Sequence, residues 1–155
     1  MMTRTLLVTE TESLRVRPGG PATANIWLDI NGCQFPMHRW NDFAVVVMGW
    51  WAVALLRLFR GVSSVERVDF MDGPYTVEVS KTSSGTLHFR ALKGSDRTDE
   101  VAIAEGPAMP FVLGLISQSR EILDACKRHA WWSKDADVLE SSVEVLNQES
   151  TRLQG

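Results

Sequence analysis

Only two cysteines occur in 155 residues, Cys33 and Cys126, far apart and outside any Cys-x-x-Cys spacing. That scarcity excludes a zinc ribbon or a disulfide framework as the basis of the fold and points to a reducing compartment. Long hydrophobic runs are missing as well. The longest apolar stretch, Phe43 to Leu56, holds fourteen residues. As a helix it would span about 21 Å of a hydrocarbon layer roughly 30 Å thick, so it reads as a buried helix and no membrane partner is expected. The opening segment, Met1 to Glu12, has only Leu6-Leu7-Val8 as an apolar run, too short for the core of a signal peptide, and the cytoplasm is the expected location. Charge of one sign is scarce too: 16 Lys and Arg against 19 Asp and Glu leave a net charge of −3, too weak to predict a nucleic-acid partner. The P-loop, the dinucleotide glycine turn, the His-Glu-x-x-His helix, the Gly-x-Ser-x-Gly elbow and the calcium loop are all absent, so no cofactor and no metal is expected.

What is present is 45% apolar residues in a chain of ordinary domain length, without repeats or a Pro/Ser-rich linker. Such a chain builds a single core by burying roughly 70% of its extended surface, and residues 1–155 are read as one domain. Leu14 and Val16 alternate with Arg15 and Arg17, Gly19-Gly20-Pro21 breaks the chain, and Ile26, Leu28 and Ile30 alternate with Trp27 and Asp29, which predicts two strands with the isoleucines and Leu28 facing the core. Asn31-Gly32 predicts a tight turn into a short returning segment at Cys33 to Phe35. The run from Phe43 to Leu56 is apolar on every face, so it predicts a central helix wrapped by its own chain, capped by Asn41 or Asp42 and closed by Arg57, Arg60 and Gly61. Gly49 is read as a point of close backbone packing.

After Gly61 the period becomes two, at Val68 and Phe70, then Tyr75, Val77 and Val79, then Leu87, Phe89 and Ala91, then Val101 and Ile103, with turns at Asp72-Gly73-Pro74, Ser83-Ser84-Gly85 and Gly94 to Thr98. This predicts an antiparallel meander. A helix over 111–129 starts at Pro110, with Arg120, Asp124 and Arg128 as i,i+4 pairs. A third helix, capped by Ser133 or Asp135, carries Leu139, Val143 and Leu146 inward and frays after Glu149. The expected architecture is α+β: a mainly antiparallel sheet of five to six strands, a buried central helix, and two amphipathic C-terminal helices on one face.

Several residue groups invite a functional reading. Asp69 and Asp72 could pair their carboxylates, but three residues apart on a strand they point to opposite faces, and Asp before Gly-Pro is ordinary turn chemistry. Cys126 and His129 share a helix face, yet a core cysteine beside a surface histidine explains them without a site. His38 is read as packing on Trp40 in the loop before the first helix; with Tyr75 these residues would frame a small-molecule pocket in the alternative reading. On the sheet, Arg15, Arg17, Trp27, Arg67, Glu78, His88 and Arg90 are expected to share a polar face. The pair Trp131-Trp132 ends an amphipathic helix, where one ring packs between helices and the other stays partly exposed; tryptophan is enriched at interaction hot spots. Asp135, Asp137, Glu140 and Glu144 follow as a negative stripe that suits a basic partner or is simply a solvated face.

The segments FPMHRWNDFAVVVMGWW (35–51) and VDFMDGPYTVEV (68–79), in a small α+β chain, resemble the immunity proteins that accompany bacterial polymorphic and contact-dependent toxins. The resemblance covers size, order of elements and these two segments. It implies a non-catalytic protein that binds one cognate toxin domain and blocks its active site or activation; the residues themselves offer two surfaces for this, the acidic helical end with Trp131, Trp132, Asp135, Asp137, Glu140 and Glu144, or the polar sheet face. Against it stand a small-ligand or enzymatic domain with a pocket near His38, Trp40 and Tyr75, which a co-purifying metabolite would reveal, and a homodimer that buries the surplus apolar surface of the first helix, which light scattering would reveal.

Overall fold

The computed structural model describes residues 4–82 and 85–154, and its strands divide into two four-stranded antiparallel sheets, not one sheet of five to six strands. The first comprises β1 (Thr5–Val16), β2 (Ala22–Ile30), β3 (Cys33–Phe35) and β4 (Asn41–Asp42). β2 pairs with β1 on one side and with β3 and β4 on the other. Ile26, Leu28 and Ile30 are buried as their alternation requires. β1 begins well before Leu14, because the consecutive apolar residues Leu6 to Val8 conceal the period of a strand. An irregularity between Glu10 and Arg15 separates its two halves. There Glu10 accepts from Asn25 Nδ2 and Arg39 Nε, each at 2.8 Å.

The second sheet is the expected meander: β5 (Val65–Asp69), β6 (Tyr75–Lys81), β7 (Thr86–Lys93) and β8 (Asp99–Pro107), in that order. Val68, Val77, Val79, Phe89 and Ala91 are buried on its inner face. Register aligns Arg67, Glu78, Arg90 and Ile103 in a row on the other. The polar face expected from the sequence is therefore split: Arg15 and Trp27 belong to the first sheet, Arg17 lies beyond the end of β1, and Trp27 is buried. Gly73 closes the β5–β6 turn at φ +83°, and a Cβ there would lie 2.7 Å from the Tyr75 ring, so both the backbone and the space demand glycine. The turn expected at Ser83 and Ser84 lies outside the described residues.

The helices are α1 (Ala44–Phe59), α2 (Ala108–Arg128) and α3 (Lys134–Gln154). α1 packs against α2, α3, β2 and β5, which is why its apolar residues run round most of its circumference. Fully buried Trp51 meets Phe111 and Phe89 at centroid distances of 5.0 and 6.3 Å. The expected cap is corrected: Phe43 occupies the N-cap and no side chain bonds the first turn. Asp42 instead sits buried, accepting from Phe43 N at 2.6 Å, Trp40 Nε1 at 3.0 Å and Asp72 N at 3.1 Å, and so ties the start of α1 to the β5–β6 turn. A Cβ at Gly49 would meet open space, so that glycine mediates no close packing.

α2 starts at Ala108, before Pro110, and its Gln118 reaches across to β1, bonding Leu7 O, Thr9 N and Thr9 Oγ1. Ser133 Oγ caps α3 by accepting from Ala136 N at 3.2 Å. α3 does not fray at Glu149: it continues to Gln154, where Ser150 is buried and Glu149 joins Arg60 at 3.4 Å and Arg152 at 2.5 Å. Among the described residues no helix is long and apolar enough to cross a membrane.

Candidate interaction surface

The two adjacent tryptophans after α2 serve different contacts. Ala130, at φ +52°, turns the chain, and Trp131 swings inward to donate from Nε1 to Gly20 O at 2.9 Å. It is buried and clamps the end of α2 to the β1–β2 turn, a contact absent from the expectation that one ring packs between the helices. Trp132 is 37% exposed. Its Nε1 donates to Asp137 Oδ1 at 2.7 Å and Lys127 Nζ sits 5.1 Å from its ring centroid, so it bridges the α2–α3 junction by a hydrogen bond and a cation–π contact.

The negative stripe expected on α3 is largely neutralised by α2. Glu140 pairs with Lys127 at 3.2 Å and Glu144 with Arg120 at 3.6 Å. Arg120 thus reaches across to α3, and the i,i+4 pairs expected with Asp124 do not form among the described residues. Four of the expected partner-binding residues, Trp132, Asp137, Glu140 and Glu144, are occupied in joining two helices. Asp135 has no ion-pair or hydrogen-bond partner among the described residues and lines an open cavity.

The other candidates separate in the same way. His38 packs edge-on against Trp27 at 5.1 Å, not on Trp40. Trp40 meets Tyr75 at 5.2 Å and Tyr75 meets Phe35 at 5.7 Å, so rings pack together where the alternative reading placed a pocket. Asp69 accepts from Thr76 Oγ1, while Asp72 stands in the turn and donates its amide to Asp42. Burial pushes the Cys126 thiol up from its ordinary pKa, while His129 is exposed.

What the sequence reading missed is an opening along α1. Trp50 and Val53 are 42% and 41% exposed, although the sequence predicts a central helix wrapped by its own chain. A cavity of ≈ 420 Å³ lies between the Gly19–Ala22 turn, Val45, Val46, Met71, Trp131 and Asp135. It shares Val45, Val46 and Asp135 with a hollow of ≈ 70 Å³ that adds Gly49, Trp50, Val53 and Val138. That hollow shares Trp50 and Val53 with a groove of ≈ 360 Å³ against residues 66–69 of β5. The three adjoin through these shared side chains and make a trough along α1 from the Trp131 turn to the edge of β5, apolar on its α1 wall and charged at Glu66, Arg67 and Asp69. Its signal in the sequence was the surplus itself: a helix apolar on all sides needs more cover than the remaining elements supply.

The fold and this surface define an α+β protein of two antiparallel sheets around a mostly buried helix, with an open trough along that helix. No family model, no curated protein and no solved structure matches the chain.

Proposed function

We propose that this protein is a non-catalytic binding domain, an immunity-type inhibitor that engages and neutralises a cognate bacterial toxin domain. The observation that supports the reading is the trough at its Trp131 end, where exposed Met71 and Val138 flank the cavity beside unpartnered Asp135. Exposed apolar side chains around a concave site with an uncompensated carboxylate are what a partner's apolar anchor and neighbouring cation require. The binding surface in this reading keeps Asp135 and the Trp131-Trp132 turn and moves from the α3 stripe toward α1.

In this reading a toxic domain is encoded beside it, and co-expression with that domain tests the proposal. The protein should restore growth and form a one-to-one complex; Met71→Glu, Val138→Glu or Asp135→Lys should each abolish rescue while leaving heat unfolding within a few degrees of the parent. Ile103→Glu, an exposed position on the outer face of β8, should rescue normally. Absence of rescue by the parent, or rescue by all three trough variants, would overturn it.

A further inference from the structure

β5 is an outer strand of its sheet and pairs with β6 alone among the described residues. The groove beside it is lined by four consecutive residues, 66–69, together with Trp50, Val53 and Ala54 of α1. Alternation sends Glu66 and Val68 to one face of the sheet and Arg67 and Asp69 to the other, so a groove touching all four runs along the strand's free edge. The edge of β1, by contrast, is covered by Gln118 of α2, which occupies both a carbonyl and an amide of that strand. Among the described residues β5 has no such cover, and an open edge with apolar side chains beside it is a template for another strand.

Charge and register say which strand fits. Glu78, opposite Arg67 on β6, turns instead to Arg90 at 3.1 Å. Arg67 is left with the carbonyl of Arg97 at 3.1 Å and no carboxylate among the described residues, and Asp69 has only Arg97, at 4.0 Å, as an ionic partner. When two copies of a strand pair antiparallel about a two-fold axis perpendicular to the sheet, directly opposed residues share a face, and one residue faces its own copy. Centring on Glu66 opposes two carboxylates, and centring on Arg67 opposes two guanidinium groups. Centring on Val68 opposes Arg67 to Asp69 of the second copy, twice, at the separation of cross-strand neighbours.

We propose that the protein forms a two-fold homodimer by antiparallel pairing of β5 edges in the Val68-centred register, joining the two β5–β8 sheets into one. Both copies of α1 then lie on the same side of the joined sheet, and the exposed Trp50 and Val53 of each face the other across the axis. The toxin-binding reading does not enter this inference.

Sedimentation and light scattering of the full chain over a range of concentrations, with charge-reversal variants, test it. Wild type should be dimeric at high concentration. Arg67→Asp gives two carboxylates on each copy and Asp69→Arg two cations, so each variant alone should dimerise at least about tenfold more weakly. Mixed one to one, they should form a heterodimer, because every cross-strand pair is again of opposite charge. A circular dichroism spectrum checks that each variant folds; if one does not, the doubly exchanged chain (Arg67→Asp with Asp69→Arg) takes its place and should dimerise as wild type does. A monomer at every concentration, a dimer indifferent to single reversals, or a mixture or exchanged chain that stays apart would overturn the proposal.

Discussion

Replacing Asp42 with alanine should destabilise the protein by about 3 to 4 kcal/mol. The carboxylate is 2% exposed and accepts three hydrogen bonds, from Trp40 Nε1, Phe43 N and Asp72 N. Hydrogen bonds to a charged group contribute roughly 1.5 to 3 kcal/mol each, and a donor left unpaired in a buried setting costs about 1 to 3. All three donors are only part-buried, so water recovers some of that loss, and about 1 kcal/mol per donor is the appropriate scale. In a chain of this size such a change lowers Tm by roughly 6 to 16 °C. Asp42→Asn should cost about half as much: its one carbonyl can keep the Trp40 and Asp72 bonds at Oδ2, while its amide turns a donor toward the Phe43 amide. Urea denaturation gives the free energies, and hydrogen exchange gives the location, since the amides of Phe43 and Asp72 should lose protection first. A loss below about 0.5 kcal/mol for Asp42→Ala would refute the idea that this carboxylate ties α1 to the β5–β6 turn.

Glu10 should titrate below the ordinary glutamate value of 4.5, because the Asn25 amide, and after it Arg39, bond its charged form and outweigh the effect of burial. Its folded pKa is the lower one, so its contribution to stability is present above the unfolded pKa and is lost as pH falls through the folded value. Asn25→Ala and Arg39→Ala should each raise the pKa seen by carboxyl NMR, and an unchanged value in either variant would contradict the assigned causes. A thiol-reactive probe should label partly exposed Cys33 in the native protein and leave Cys126 untouched until denaturant is added, because Cys126 is fully buried and its thiolate is disfavoured by that burial. Labelling of both at equal rates would contradict the packing of α2.

Elements whose signals are local could be read along the chain. A period of two at Val77, Val79, Phe89 and Ala91 is a property of neighbours along the chain, and so are the turns at Asn31-Gly32 and Asp72-Gly73, the end of α1 at Gly61, and the serine cap of α3. Tertiary structure decided everything that depends on which elements meet. Periodicity assigns a strand to a face but not to a sheet, so eight strands became two sheets. The carboxylates of α3 looked free along the chain, and only packing brought Lys127 and Arg120 within reach. Asp42 stood where a cap belongs, yet the folded chain offered it a distant amide and an indole instead. The opening along α1 is the clearest case: burial of a helix face is a relation between that face and its surroundings, and the composition of the helix records only the demand for cover.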